Sequence, residues 1–273
     1  MSTETKQLQP SQVGVIGAGV MGEALIAALI KYGIKASSIC VSEKREERAQ
    51  ELIAKYSIQK AALDLNVTQA ESLLLVVKPQ DMASVLQEIK SSINSNAVVI
   101  TFAAGKTISF ISNELGTSNP IIRVMPNTPT LVGEGMAAAS MGVGVTNEQR
   151  EFVLGFLGAT GKVIEVNEEL QDAVTATSGS GPAYFFAFVE AMVAGAQELG
   201  LSEQDATTLT IQTIVGAATL LNESGKSATT LRENVTSPNG TTAAALASFG
   251  SDNMNSMVAK AMKAARDRSQ ELA

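Results

Sequence analysis

The chain has 273 residues, 45% of them hydrophobic, which suffices for one large domain or two ordinary domains with well-packed cores. Its formal net charge of −7 and its lack of a Lys/Arg cluster exclude a surface that attracts nucleic acid or an anionic membrane. The absence of His and the presence of a single Cys exclude His-dependent catalytic sites, zinc or iron sites that need imidazole, and thiolate metal sites. We therefore expect no metal, and chemistry that depends on an organic cofactor or on the substrate.

The start of the chain and its Cys content favour a cytoplasmic protein. Residues 1–12 are polar and lack the apolar segment of a signal peptide, and we expect residues 1–11 to form a flexible tail. The most apolar run, residues 183–196, contains Glu190 and is shorter than the roughly 20 residues that cross a bilayer. Cys40 cannot form an internal disulfide, which suits a reducing compartment.

A glycine-rich motif, G-A-G-V-M-G at residues 17–22, follows a short apolar run over residues 12–16 and precedes a helical pattern. Gly17 permits a tight turn, Gly19 allows a pyrophosphate to approach the backbone, and Gly22 lets the helix pack against the strand. The helix N-terminus adds free N–H groups and a partial positive charge. In this strand–turn–helix context the motif predicts dinucleotide binding rather than a purely structural turn.

The second predicted strand, residues 37–42, ends about 20 residues after the glycines, where such folds contact the adenosine ribose. The residues there are Ser42, Glu43, Lys44 and Arg45, with Arg48 one helical turn further. A hydroxyl followed by cations suits the 2′-phosphate of NADP, whereas Glu43 argues for NAD. A helix N-cap at Ser42 with a solvated first turn is the structural alternative. We predict that NADPH is preferred over NADH.

Strand and helix patterns continue to alternate up to residue 166. The further strands are predicted over residues 72–77, 97–102, 121–124, 135–141 and 162–166, and the helices over residues 46–56, 107–115 and 147–157. This alternation predicts a Rossmann-type, doubly wound parallel sheet as a dinucleotide-binding domain over residues 12–166.

Three loops follow predicted strands at the edge where open α/β sheets bind ligands. They contain Lys78 and Pro79, the small residues Ala103-Ala104-Gly105, and Asn127 between two prolines. The alternative for Lys78 is an ordinary solvated side chain without a ligand contact. The alternative for the loop with the two prolines is a rigid turn with only a structural role.

The second half, residues 167–273, has helical patterns only, which predicts an all-α domain. The helices are predicted over residues 168–177, 182–199, 203–222, 227–235, 241–249 and 252–271. The helix over residues 182–199 is apolar on nearly all sides and must be buried, yet a half-chain of this size has little interior. We therefore predict an obligate homodimer through this half.

Two segments of this half, residues 177–182 and 236–242, combine small hydroxyl residues with glycines ahead of predicted helix starts. N-capping explains one hydroxyl in each segment but not the clusters. Both segments therefore predict sites for a carboxylate or phosphate.

Six segments occur in one order and at characteristic spacings. They are G-A-G-V-M-G at 17–22, V-V-K-P-Q at 76–80, A-A-G at 103–105, R-V-M-P-N-T-P at 123–129, S-G-S-G-P-A-Y at 178–184 and N-V-T-S-P-N-G-T-T at 234–242. From about residue 12 to residue 270 the chain resembles the pyrroline-5-carboxylate reductases. The resemblance implies NAD(P)H-dependent reduction of 1-pyrroline-5-carboxylate to L-proline, the last step of proline biosynthesis. It also implies a domain-swapped homodimer that assembles further, for example into a decamer.

The resemblance also implies the residues of the site. Those that would bind the cofactor are Ile16, Gly17, Ala18, Gly19, Val20, Met21, Gly22, Ser42, Lys44, Arg45, Asn66, Val77, Lys78, Pro79, Ala103, Ala104, Asn127 and Asn234. Those that would bind the substrate are Glu168, Ser237, Gly240, Thr241 and Thr242. Asn66 matches only with a gap, because it lies closer to the V-V-K segment than the family's ribose-contacting Asn. Asn239 stands where many members have Gly, which the tolerance of Asn for positive φ allows.

A cyclic imine needs no strong acid, because it is basic enough to be protonated before it accepts hydride. We expect Thr242 to be the catalytic residue, through a hydrogen bond to the ring nitrogen that either donates the proton or orients the imine. Other imine or β-hydroxyacid reductases are the nearest alternatives, but the latter use a Lys that residues 182–199 lack. An inactive NAD(P)-binding regulator and a scaffold protein are the alternatives outside catalysis. We expect the glycine motif and the Thr242 segment to meet in one site.

Overall fold

The computed structural model describes residues 10–272. Its strands are β1 (Val13–Ile16), β2 (Ile39–Ser42), β3 (Gln59–Lys60), β4 (Ser72–Leu75), β5 (Val98–Thr101), β6 (Ile121–Met125), β7 (Gly135–Met141) and β8 (Gly161–Glu165). Its α-helices are α1 (Val20–Tyr32), α2 (Glu46–Tyr56), α3 (Leu63–Gln69), α4 (Met82–Ile89), α5 (Ile108–Leu115), α6 (Asn147–Gly158), α7 (Gln171–Val174), α8 (Gly181–Glu198), α9 (Glu203–Glu223), α10 (Ala228–Asn234), α11 (Thr241–Ser251) and α12 (Met254–Glu271). The predicted Rossmann-type sheet followed by a helical half is confirmed.

The eight strands form one sheet in the order β3-β2-β1-β4-β5-β6-β7-β8. Strands β1 to β6 pair in parallel, but β7 runs antiparallel to β6, with Val124 opposite Ala139, so the prediction of a wholly parallel sheet was wrong at this pair. A short 3₁₀ turn, Thr128–Val132, connects β6 to β7. A parallel pair needs a longer crossover, usually a helix. Helix α6 supplies one between β7 and β8, which are parallel.

Helices cover both faces of the sheet, because its central strands alternate between two apolar clusters. Leu74 and Ile100 belong to one cluster, whereas Leu73 and Val99, one position away on the same strands, belong to the other. Successive side chains of a strand point to opposite faces, so each cluster lies on its own face. Strands that are buried on both faces have continuous apolar sequences, which explains why the sequence predicts a strand over residues 72–77.

The chain divides into two compact units, one of residues up to Pro182 together with those from Ala265 on, and the other Ala183–Ala264. The predicted boundary between residues 166 and 167 is a different division and stays a prediction. Of the predicted tail, residues 1–9 lie outside the described part of the chain. Ser11 is attached to the first unit, because its N–H and hydroxyl donate hydrogen bonds of 2.8 and 2.6 Å to the Glu71 carboxylate.

The helical unit leaves large apolar side chains uncovered. Phe185 and Phe186 on α8 are 62% and 63% exposed, and Met257 on α12 is 61% exposed. Other exposed apolar residues of the unit are Tyr184, Phe188, Met192, Leu209, Ile211, Val215, Leu220, Leu221, Phe249, Met254 and Val258. Water contact over so many apolar side chains is unfavourable, and patches of this kind mark interaction surfaces. Within residues 10–272 no helix combines the length and apolarity that crossing a membrane requires.

Candidate active site

The glycine turn after β1 has the geometry that its spacing predicted. Gly17 has φ +88°, and a Cβ there would lie 2.9 Å from the Val76 carbonyl oxygen. A Cβ on Gly22 would lie 2.5 Å from the Gly17 carbonyl oxygen, so these two positions admit only glycine without a shift of backbone. Around Gly19, apart from its two chain neighbours, no atom of residues 10–272 lies within 4 Å of such a Cβ. The N-terminus of α1 is therefore open in front of Gly19, where its first N–H groups have no partner within the helix.

The peptide groups on either side of Ala18 Cα are held by two charged side chains. Glu43, just after β2, accepts a 2.9 Å hydrogen bond from the Ala18 N–H, and Arg48 donates one of 2.9 Å from Nε to the Ala18 carbonyl. Arg48 also forms ion pairs with Glu23 and Glu51. The guanidinium of Arg48 is thus fully engaged, and it supports the glycine turn rather than standing free for a phosphate.

The two carboxylates of this region are ionised. Burial alone would raise the pKa of Glu43, but hydrogen bonds from Arg45 and from the Ala18 N–H outweigh burial and lower it. The pKa of Glu23 is lowered from 4.5 to about 2, first by Lys55 and then by Arg48. A fixed negative charge at Glu43 therefore lies beside the turn that is expected to bind a pyrophosphate.

Ser42 and Asn66 bind each other at the end of β2. The Asn66 amide donates 2.9 Å to Ser42 Oγ and 3.2 Å to the Cys40 carbonyl, and Ser42 Oγ donates 3.0 Å to the Ala61 carbonyl. Asn66 is only 1% exposed. The Ser42 hydroxyl proton is used in the hydrogen bond to the Ala61 carbonyl. The buried Asn66 side chain stabilises the end of β2 through its hydrogen bonds to Cys40 and Ser42. Among the residues expected around the ribose, Lys44 and Arg45 are the exposed cations.

Several predicted residues follow the carboxyl ends of neighbouring parallel strands. Val77 packs against the glycine turn, since a Cβ on Gly17 would lie 3.2 Å from Val77 Cγ1. Lys78 is exposed, and Pro79 begins a 3₁₀ turn that leads into α4, as its position predicted. Ala103 is buried and Ala104 half-buried after β5. The order β2-β1-β4-β5-β6 places these loops along one edge of the sheet, where the connections from β1 and from β4 leave in opposite directions.

Asn127, after β6, is buried with its amide already in use. Its Oδ1 accepts a 2.8 Å hydrogen bond from the Met136 N–H, and its Nδ2 donates one of 3.2 Å to the Ser178 carbonyl. A Cβ on Gly179 would lie 3.1 Å from Met125 Sδ. Two motifs that are distant in sequence, R-V-M-P-N-T-P and S-G-S-G-P-A-Y, therefore pack against each other.

The first of the two hydroxyl-rich segments, residues 177–182, is not built as predicted. A π-helix, Thr175–Gly179, joins α7 almost directly to α8. Thr177 and Ser178 donate hydrogen bonds of 2.8 and 3.2 Å to the carbonyls of Ala173 and Val174, four residues back. Their hydroxyls satisfy the helix from inside, so the prediction of an anion site ahead of a helix start was wrong for this segment.

The second segment, residues 236–242, does precede a helix start. Gly240 is the N-cap of α11 and has no side-chain cap, while its own N–H donates 3.1 Å to the Ser237 carbonyl. Asn239 has φ +57°, the conformation that its tolerance for positive φ predicted. Thr242, in the first turn, is half-buried and Thr241 is exposed. Asn234 is the exposed last residue of α10. Free N–H groups and hydroxyls thus lie together at one helix N-terminus, which suits an anion.

Glu168 is bound to a buried arginine that the sequence did not single out. Its Oε1 accepts 2.7 Å from the Ile108 N–H at the start of α5 and 3.4 Å from Arg123 Nη1. Arg123 lies within β6 and its side chain is 3% exposed. An arginine inside the apolar run 121–125 is the only signal in the sequence, since its partners lie 45 and 49 residues further on.

Comparison with known proteins matches both halves of the chain. Residues 168–272 match the family model "Pyrroline-5-carboxylate reductase dimerisation", and residues 12–105 match "NADP oxidoreductase coenzyme F420-dependent". The pyrroline-5-carboxylate reductase of Corynebacterium melassecola is 40% identical over 95% of this chain and 98% of its own.

Solved structures agree with these matches. A pyrroline-5-carboxylate reductase from Coxiella burnetii superposes with a TM-score of 0.88 at 33% identity, covering 97% of this chain and 99% of the other. The Plasmodium falciparum pyrroline carboxylate reductase, solved with NADP bound, superposes with a TM-score of 0.85 at 28% identity, covering 96% and 97%.

Proposed function

Because the chain belongs to the pyrroline-5-carboxylate reductase family, we propose that it reduces 1-pyrroline-5-carboxylate to L-proline with NAD(P)H, the last step of proline biosynthesis. The observation that carries this proposal is the glycine turn, which opens the N-terminus of α1 at Gly19 beside the loops after β4 and β5. A helix N-terminus at this point of an open α/β sheet suits the pyrophosphate of a dinucleotide.

The cofactor assignments extend from this turn. Within residues 16–22, the free backbone N–H groups at the start of α1 would hold the pyrophosphate, since the Gly17 and Ala18 N–H groups already donate to the Ser42 carbonyl and to Glu43. Val77, Lys78 and Pro79, together with Ala103 and Ala104, would lie along the nicotinamide half, because they occupy the carboxyl edge of the sheet next to the turn. The Asn127 amide is satisfied within the protein, so its contribution would be to shape the loop.

NADPH is the cofactor that we propose, since Lys44 and Arg45 are exposed cations directly after β2. The ionised Glu43 opposes this preference, because its carboxylate repels a 2′-phosphate and suits a ribose hydroxyl. The Ser42 hydroxyl donates to the Ala61 carbonyl, so it supports the strand rather than donating to the phosphate. Glu43 should therefore leave the enzyme able to use NADH as well, at a lower efficiency.

For the chemistry, a bound reduced nicotinamide supplies the hydride that the imine carbon accepts. The segment of Ser237, Gly240 and Thr241 would hold the substrate carboxylate on free N–H groups and hydroxyls at the start of α11. The Thr242 hydroxyl would donate a hydrogen bond to the lone pair of the neutral ring nitrogen and supply the proton that the nitrogen gains as its carbon is reduced, with the hydroxyl proton replaced from solvent. Asn234 and Glu168 would complete the surroundings of cofactor and substrate.

The proposal also covers how the chain associates with copies of itself. The match to a dimerisation model and the exposed apolar side chains of α8, α9 and α12 support a homodimer through these helices. We propose that the dimers swap helices and assemble further into a decamer, and that the functional division lies between residues 166 and 167. The buried thiol of Cys40 suits the cytoplasm as its location.

A spectrophotometric assay tests the proposed function. Purified protein is mixed with NADPH, and the loss of NADPH absorbance is followed after addition of 1-pyrroline-5-carboxylate, of other cyclic imines and of β-hydroxyacids with the oxidised cofactor. We expect rapid oxidation with the five-membered imine carboxylate and little with the others. Cofactor binding without any substrate-dependent oxidation would instead support a regulator.

A further inference from the structure

The last turn of the chain packs on the loop that follows β5. A Cβ on Gly105 would lie 2.5 Å from the Ser269 carbonyl oxygen and 2.6 Å from Leu272 Cβ, and Gly105 has φ +74°. The Leu272 N–H donates 3.2 Å to the Ser269 carbonyl and closes this turn. Residues from Ala265 onwards belong to the same compact unit as the sheet. The space that a side chain at Gly105 would need is thus occupied by the C-terminal turn of α12.

An ion-pair network around the buried Arg123 holds that turn in place. Ser269 is 2% exposed, and its hydroxyl donates 2.8 Å to Asp172 Oδ1. The same oxygen accepts 3.1 Å from Arg123 Nη2, while Arg123 Nη1 reaches Glu168. Arg123 Nε has no hydrogen-bond partner among residues 10–272, so this buried cation depends on the two carboxylates.

The C-terminal turn and the network contact this loop at two points. Ser269 and Leu272 cover Gly105 in the middle of the loop, and Glu168 accepts a 2.7 Å hydrogen bond from the N–H of Ile108, directly after the loop. Between and beside these points lie residues 103–107, including the pair Ala103 and Ala104. A glycine loop with positive φ has few intrinsic restraints, so contacts from outside must determine its position.

We infer that Ser269, through Asp172 and Arg123, is a positioning residue that fixes the loop of residues 103–107 against the nicotinamide. The inference rests on the proposed function, because that proposal places the nicotinamide beside Ala103 and Ala104. Ser269 touches neither cofactor nor substrate and acts through the loop. Small displacements of positioning groups reduce turnover strongly, since catalysis needs the reacting atoms aligned.

The test uses Ser269→Ala in the full-length protein. Replacing Arg123 or Asp172 would break an ion pair of the buried guanidinium and destabilise the protein strongly, whereas Ser269→Ala removes one hydroxyl and leaves the ion pair intact. Gln270→Ala is the matched control, because Gln270 is the exposed neighbour on the same helix. A chain that ends at residue 271, and therefore lacks Leu272, is the second variant.

Two readouts separate positioning from general loosening. The first is binding of NADP⁺ compared with 2′-phospho-ADP-ribose, which lacks the nicotinamide. The second is the split between kcat and KM in the imine assay. We expect Ser269→Ala to weaken NADP⁺ binding and to lower kcat/KM about tenfold or more, with the affinity for 2′-phospho-ADP-ribose unchanged. The truncated chain should behave in the same way, and Gln270→Ala should resemble the wild type.

Equal losses for both ligands, or a Ser269→Ala variant indistinguishable from Gln270→Ala, would overturn the inference. Failure of the proposed function has a different signature. In that case the wild-type protein would not oxidise NADPH with the imine, while the comparison of the two nucleotides would still report on the loop.

Discussion

The Glu43 carboxylate accepts a 2.9 Å hydrogen bond from the Ala18 N–H, which places a negative charge inside the glycine turn. The Glu43 side chain is 8% exposed and also binds Arg45 through Nε at 3.0 Å. An acidic group at the end of the second strand therefore does two things. It stabilises the turn, and in the proposed binding mode it would lie at the adenosine ribose, where the two nicotinamide cofactors differ.

Glu43→Gln should shift cofactor preference towards NADPH. The amide keeps an acceptor for Ala18 but removes the charge, so repulsion of the 2′-phosphate falls. We expect the ratio of kcat/KM for NADPH to that for NADH to rise about tenfold, equivalent to ~1.4 kcal/mol. Glu46→Gln is the control, because that carboxylate is 65% exposed. An unchanged or decreased ratio in Glu43→Gln would show that this carboxylate does not discriminate between the cofactors.

Gly19→Ala should affect cofactor binding, whereas Gly22→Ala should affect the stability of the fold. Gly19 has φ −64° and open space around its Cβ position, so the Gly19→Ala variant should fold normally. The added methyl group should weaken NADPH binding tenfold or more, which is ~1.4 kcal/mol or more of binding free energy. Gly22→Ala meets the Gly17 carbonyl oxygen at 2.5 Å and should destabilise the protein by about 1–3 kcal/mol. Calorimetric binding and thermal unfolding measure the two effects. If the Gly19→Ala variant bound the cofactor with native affinity, the proposal that the pyrophosphate binds at this turn would be wrong.

The geometry of this turn could be predicted from the sequence, whereas features that depend on distant residues could not, and both results have a common physical origin. Gly17, Gly19 and Gly22 act within six residues of one another, so their spacing alone determines the strand–turn–helix geometry. The antiparallel pairing of β7 depends instead on the shape of a whole connection. The role of Asn66 depends on Ser42, 24 residues away.

The hydroxyl-rich segments show the same limit. Residues 177–182 and 236–242 look alike in sequence, yet the first continues a helix and the second begins one. A hydroxyl can cap a helix or donate to a carbonyl four residues back, and only the backbone conformation decides between them. The buried Arg123 was missed because both of its partners come from a later part of the chain.

Thr242→Ala tests the proposed proton donor. Loss of one positioned hydroxyl should lower kcat about 10²-fold, the usual contribution of a group that assists proton transfer, and should leave NADPH affinity unchanged. Ser248→Ala, an exposed hydroxyl further along α11, serves as the control. Steady-state kinetics and cofactor titration measure both properties. A Thr242→Ala enzyme with wild-type kcat would assign the proton to another donor.

The Glu23 carboxylate should make folding stability depend on pH in the acid range. Its pKa of about 2 in the folded protein lies below the ordinary 4.5, so the ionised form stabilises the fold above about pH 4.5. That stabilisation should disappear as the pH falls from about 4.5 to about 2. We expect the ionised Glu23 to contribute ~1–3 kcal/mol to the free energy of unfolding. The lower part of this range reflects the solvent exposure of its partner Lys55.

Glu23→Gln provides the comparison. Denaturant unfolding from pH 7 to pH 2 should show a smaller loss of stability for this variant than for the wild type. Glu47→Gln, an exposed carboxylate on α2, should keep the wild-type pH dependence. Identical slopes for Glu23→Gln and the wild type would contradict the predicted contribution of this ion-pair cluster.

The exposed helices should carry the dimer interface. Light scattering at micromolar concentration should give at least twice the mass of the 28.4 kDa chain. Phe186→Asp places a charge on a side chain that is 63% exposed in the single chain and should produce smaller species. Leu131→Asp, an exposed apolar position in the first unit, is the control. A monomeric wild type would show that these helices are not an interface.

We propose that a hydride passes from the nicotinamide to the imine carbon of a small cyclic carboxylate. NADPH that carries deuterium at both C4 positions tests this transfer directly, with 1-pyrroline-5-carboxylate as substrate in ordinary water. We expect L-proline that is one mass unit heavier, with the deuterium on the ring carbon next to nitrogen that does not carry the carboxylate. Proline without deuterium, or the absence of proline while the labelled cofactor stays reduced, would contradict this proposal.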